Sequence, residues 1–131
     1  MHLLDTNTCI YAIRRRPASV QARLNALDPA AVALSVVVAM ELELGAMRAQ
    51  AQAYAPAVRR WLEVFSILPL GDDARVRFAR LKCDLMTRGA LIGPMDMLIA
   101  AHALALGATL VTNNEREFKR VKGLKLENWV G

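Results

Sequence analysis

The chain has 131 residues, 55% hydrophobic and 22% charged, which suits one packed domain and excludes a disordered chain. The uncharged apolar stretch Pro29 to Met40 is shorter than the ~18–20 residues a membrane span needs. The opening Met1-His2-Leu3-Leu4-Asp5 has no basic segment ahead of an apolar one, so no secretory signal is expected. Net charge is +5, and 13 of the 17 basic residues are arginine, whose planar fork suits phosphate. That balance fits a nucleic acid or an acidic protein partner equally well. Cys9 and Cys83 stand alone, in no CxxC pair, so a cytoplasmic protein with two reduced, mostly buried thiols is expected and a zinc site is not.

Short apolar runs alternate with helical periods, the pattern of an α/β domain. His2-Leu3-Leu4 reads as a buried strand stopped at Asp5. A helix follows, with Cys9, Ile10 and Ile13 on one face, ended by Arg14-Arg15-Arg16-Pro17. Ala18 to Leu27 reads as a second helix through Val20, Leu24 and Leu27. Val32 to Leu34 is a strand, and Ser35 is a suitable N-cap for a helix from Val36 to about Arg48. Tyr54 to Phe65 is an amphipathic helix, and Ile67-Leu68-Pro69-Leu70 is strand-like. Asp72 to Arg88 is a long helix, expected to face inward through Val76, Ala79 and Cys83 and to be capped by Gly89. Pro94 opens a helix running to Ala105, closed by Gly107. Thr109 to Thr112 and Leu124 to Leu126 are the last strands. Strands separated by whole helices predict a single domain, 1–131, with a mainly parallel sheet of four to five strands flanked by helices. Functional residues then gather at the carboxyl ends of the strands.

Of the twelve acidic residues, Asp28, Glu63, Asp72, Asp73 and Asp84 fall on polar stripes and read as solvated surface. Four others are oddly placed. Asp5 ends the first strand, Glu41 interrupts the apolar run Val36 to Met40, Asp96 sits inside Met95 to Ala101, and Glu117 lies just beyond a strand end. A carboxylate in an apolar run is costly unless it is paired or binds a metal. Ordinary roles remain open to each: Asp5 as an N-cap, Asp96 at a positive helix N-terminus, Glu41 in an ion pair, Glu117 on an exposed helix. Taken together they point elsewhere, because acids meeting at one sheet edge repel, and a hard divalent cation relieves that repulsion. Oxygen-only ligands favour magnesium or manganese. Glu43, two residues from Glu41, faces away from it on a helix.

The runs Leu3-Leu4-Asp5-Thr6-Asn7, Met40-Glu41 with Gly45, Ile92-Gly93-Pro94-Met95-Asp96 and Val111-Thr112-Asn113-Asn114 resemble those of PIN-domain VapC toxins. The resemblance holds in order and spacing across the whole chain, through Arg116-Glu117-Phe118 and Asn128-Trp129. It implies a PIN-like fold with an acidic pocket for Mg²⁺ or Mn²⁺, in which Asp5, Glu41 and Asp96 are the core acids and Glu117 the fourth. Asp5 and Asp96 are the implied direct metal ligands, and Asn7 and Thr112 orient the carboxylates. Asn114 stands where many family members have an aspartate, so it leaves one or two metals equally open.

The activity so implied is hydrolysis of an RNA phosphodiester, leaving 5′-phosphate and 3′-hydroxyl ends, with tRNA the expected substrate and no histidine or serine nucleophile. Arg14, Arg15 and Arg16, and the Arg116, Lys119, Arg120 and Lys122 cluster, are candidates to grip the RNA backbone, or else a solvated face. The resemblance further implies a homodimer and a VapB-like antitoxin whose tail, led by an arginine, covers the pocket. His102, six residues after Asp96, is expected to be a packed or surface histidine without a catalytic role. Two other readings compete. Asp5-Thr6-Asn7-Thr8 partly imitates the Asp-x-Asp-x-Thr signature of haloacid-dehalogenase-like phosphatases, but lacks the second acid. A catalytically silent PIN-like module that binds RNA or protein is the alternative that Asn114 keeps open.

Overall fold

A computed structural model describes residues 1–131 apart from the side chains of Ala49 and Ala51. Five short strands, β1 (His2–Leu4), β2 (Val32–Ser35), β3 (Ser66–Leu68), β4 (Thr109–Val111) and β5 (Lys125–Glu127), form one sheet in the order β3-β2-β1-β4-β5. Every pairing is parallel. The central strands are covered accordingly: all four residues of β2 are buried, as are Leu3 and Leu4 of β1, whereas no residue of the edge strands β3 and β5 is fully buried.

Helices α1 (Thr6–Arg14), α2 (Ala18–Asn25), α3 (Val36–Met47), α4 (Ala55–Val64), α5 (Asp72–Thr87), α6 (Pro94–Leu106) and α7 (Glu115–Phe118) connect and flank the strands. Their ends follow local chemistry. Ser35 caps α3 by accepting from the Val37 N–H at 3.1 Å. Pro94 occupies the first turn of α6, and Gly107 ends it with φ 62°, a left-handed conformation that glycine adopts without strain. Helices α1 to α4 form one contiguous group and α5 with α6 a second, and α3 touches both.

Two expectations from the sequence need correction. Helix α5 buries Ala74, Leu81 and Leu85, with Phe78 half-buried, while Val76, Ala79 and Cys83 are exposed. Both stripes have helical spacing, but the one used carries the larger side chains, and burying a Leu or Phe contributes ~1.5–3 kcal/mol. Cys9 is buried as expected; Cys83 is not, because it belongs to the unused stripe.

The chain runs outward from β1 to β2 and β3, then crosses back to lay β4 on the other side of β1. The reversal puts the carboxyl ends of β1 and β4 side by side, the place where open parallel sheets leave a crevice. The Asp5 N–H donates to the Val111 carbonyl at 3.0 Å, carrying the pairing one residue past the strands.

Candidate active site

Asp5 ends β1, is only 6% exposed and caps α1, its Oδ1 accepting from the Thr8 N–H at 2.8 Å. The Thr8 hydroxyl donates to the Val111 carbonyl at 3.2 Å, so the turn after β1 is fastened to the end of β4. Oδ2 of Asp5 has no protein donor among the described residues. The N-cap role and a role in the pocket are therefore compatible, since each uses a different oxygen.

Glu41 lies in the second turn of α3, and the Thr6 hydroxyl donates to its Oε1 at 2.5 Å. Asp96 is in the first turn of α6, half-buried beside Gly93. Glu117 is on α7, where Oε2 accepts from Asn114 Nδ2 at 3.0 Å; the Asn114 backbone N–H in turn donates to the buried Thr112 hydroxyl at 2.9 Å. The four acids thus come from the end of one strand and from three helices.

The other three acids all bear on Asp96. Burial first, then the neighbouring Glu117, Glu41 and Asp5 carboxylates, push Asp96 up to about 6. The helix N-terminus at Asp96 favours negative charge, yet the crowding outweighs it. Among the described residues, none of the four acids forms an ion pair with arginine or lysine. No three of them are drawn closely enough to form a finished cage for a cation.

Asn7 is exposed and makes no hydrogen bond to an acid among the described residues; Thr6 and Thr8, its neighbours, do that positioning. Sequence reasoning passed over both threonines. The available signal was that Glu41, inside an apolar helix, needs a donor, and a hydroxyl next to Asp5 supplies it. Thr112 and Asn114 form a hydrogen-bonded relay to Glu117.

Of the basic candidates, Arg14, Arg15 and Arg16 are exposed at the end of α1, and Arg14 lies over the Tyr54 ring at 5.3 Å. Arg14 and Glu41 line one cavity of about 500 Å³ whose walls include Ile10, Ile13, Leu42 and Val58. Arg116 and Lys119 are exposed beside Glu117. Arg120 donates to the Leu91 carbonyl at 3.0 Å, and its own carbonyl accepts from Arg88. It is therefore committed to fastening the segment before α6 and is the least available of the set.

Residues 2–124 match the PIN domain family. The chain belongs to this family, within its VapC branch. It is 37% identical over 128 residues to the tRNA(fMet)-specific endonuclease VapC of Shigella flexneri, covering 97% of this chain and 96% of that protein. It is also 37% identical to ribonuclease VapC2 of Rickettsia felis over 131 residues, 98% of each chain. Among solved structures, VapBC2 of Rickettsia felis bound to a DNA fragment from its promoter superposes with a TM-score of 0.87 at 36% identity, again over 98% of each chain. DNA-bound VapBC of Salmonella typhimurium gives the same TM-score at 29% identity, over 98% of this chain and 97% of that one.

Proposed function

We propose that this chain is an endoribonuclease toxin that hydrolyses RNA phosphodiesters, tRNA above all, in the cytoplasm with a divalent cation, leaving 5′-phosphate and 3′-hydroxyl ends. The observation that carries the reading is the convergence of three other carboxylates on half-buried Asp96, with no guanidinium or ammonium group paired to them among the described residues. Uncompensated negative charge at the crevice of a parallel sheet is costly for a protein without a ligand and suited to one that binds a cation. The donor set is all oxygen, which fits Mg²⁺ or Mn²⁺. Asp5, through its free Oδ2, and Asp96 would hold the ion, with Glu41 and Glu117 closing the pocket. When bound, the ion lowers the pKa of water and offsets charge on the phosphoryl oxygens.

The residues of the chain do the positioning. Thr6 fixes the Glu41 carboxylate, the Thr8 N–H fixes one oxygen of Asp5, and Asn114 fixes Glu117. The other acids raise the Asp96 carboxyl to about 6, so an ion held there would favour its charged form. Arg14, Arg15, Arg16, Arg116 and Lys119 would carry the RNA backbone toward the pocket.

Two relatives are named as tRNA-cutting or RNA-cutting enzymes, and solved neighbours are VapBC complexes. By extension, a VapB-like antitoxin silences this chain. The 500 Å³ cavity supports that assignment: its apolar walls suit an amphipathic segment, and Glu41 at its rim would receive an arginine. The exposed stripe Met40, Leu44 and Met47 on α3, at spacings of four and three, supports a homodimer. Incubating the protein with tRNA and total RNA in Mg²⁺ or Mn²⁺, beside Asp96→Asn, tests the central claim. Cuts with 5′-phosphate ends that vanish in the variant are expected. Ends bearing a 2′,3′-cyclic phosphate, or equal cutting by the variant, would refute it.

A further inference from the structure

Helices α3 and α6 each deliver one acid to the pocket, and a buried polar contact ties the two together. His102 of α6 is 2% exposed, and its Nδ1 lies 2.7 Å from Oγ of Ser35, the N-cap of α3. The Ser35 oxygen already accepts from the Val37 N–H, and the Pro69 carbonyl just beyond β3 is a second partner for the imidazole. Burial holds the imidazole below its usual range, so it is neutral near pH 7. In the neutral ring Nδ1 can accept the Ser35 hydroxyl proton while the Ser35 oxygen accepts from Val37.

We propose that His102 is a positioning residue for the acidic pocket, its bond to Ser35 setting α6 against α3 and thereby the separation of Asp96 from Glu41. The spacing is symmetrical: Asp96 precedes His102 by six residues, and Glu41 follows Ser35 by six. Each acid stands about 9 Å along its helix from the contact. Over that lever a tilt of ~5° moves a carboxylate by ~0.8 Å, more than the ~0.5 Å a functional constellation tolerates. Helix α6 packs far more extensively on α5, which supplies no acid to the pocket, than on α3. The packing of α6 on α5 leaves its angle to α3 undetermined, and a directional bond between two buried side chains supplies that restraint.

The inference rests on the cation reading of the site, and the measurement is the Mn²⁺ dissociation constant of the full chain, determined without RNA by the electron paramagnetic resonance of free Mn²⁺. His102→Leu keeps volume and removes the bond; His102→Asn keeps an acceptor close to the Nδ1 position. His102→Leu is expected to weaken Mn²⁺ binding about 10-fold, as removal of partners beyond the ligands does, with His102→Asn staying within about 2-fold of wild type. Ser35→Ala is expected to weaken binding by a similar factor, and the double variant Ser35→Ala/His102→Leu no further, since the same interaction is removed in each. If His102→Leu does not fold, Ser35→Ala carries the comparison. A lower Tm with an unchanged Mn²⁺ constant would overturn the proposal, as would equal weakening by Leu and Asn. Failure of the wild type to bind Mn²⁺ would defeat the cation reading instead. A crystal structure of the His102→Leu variant then decides the positioning claim: a moved α6 supports it and an unmoved one overturns it.

Discussion

Replacing Asp96 by asparagine is expected to stabilise the cation-free protein at neutral pH, although it removes a central acid. In the folded chain this carboxyl titrates at about 6 rather than 3.8. The folded state therefore holds the proton more tightly than the unfolded state does. Stability from this group is greatest below the unfolded value, declines as pH rises from about 4 to about 6, and is level above that. Ionising the carboxyl in the folded protein costs up to ~3 kcal/mol at pH 7. Because the site is half-buried and open to solvent screening, ~1–2 kcal/mol is the better figure. For a chain of this length that corresponds to ~4–7 °C in Tm. Thermal unfolding in EDTA from pH 4 to pH 8 should thus show wild type and Asp96→Asn nearly equal at pH 4 and the variant higher at pH 7.5. With Mn²⁺ the order should reverse, since a ligand at 100 times its dissociation constant adds ~2.7 kcal/mol to the protein that binds it. A gap independent of pH, or a wild type more stable than the variant in EDTA at pH 7.5, would show that the four acids do not crowd one another.

Three further outcomes are expected. Thr6→Val removes the hydroxyl that holds Glu41 while keeping the side-chain shape; it should lower kcat/KM about 10-fold while altering unfolding free energy by no more than ~1 kcal/mol. Replacing Arg14, Arg15 and Arg16 together by alanine should flatten the salt dependence of RNA binding, by about 0.7 in the log–log slope for each single-strand phosphate these arginines had neutralised; an unchanged slope would assign these arginines to solvent alone. A thiol reagent at pH 7 should label the exposed Cys83 promptly and Cys9 only after unfolding, because burial pushes the Cys9 thiol well above its ordinary value. Labelling is counted by intact-mass spectrometry.

The amino-acid sequence determined what short-range chemistry controls. Ser35, Pro94, Gly89 and Gly107 mark helix ends through bonds and backbone angles settled within a few residues, and the structure places them accordingly. Asp5, Glu41 and Asp96 stood out because a charge among apolar neighbours is anomalous whatever the fold. Only the tertiary structure decided which groups attend those acids. Asn7 and Thr6 are adjacent in the chain and both polar, yet the path of α3 brings Glu41, 35 residues on, to Thr6. The contact of His102 with Ser35 spans 67 residues, and local propensity carries no information over that separation. The buried face of α5 was likewise chosen by what lay opposite it, since two stripes of equal period differ only in how much apolar area their neighbours can cover. The strand order β3-β2-β1-β4-β5 belongs with these. It sets the ends of β1 and β4 side by side and brings Asp5, Glu41 and Glu117 to bear on Asp96, through pairings between segments a hundred residues apart.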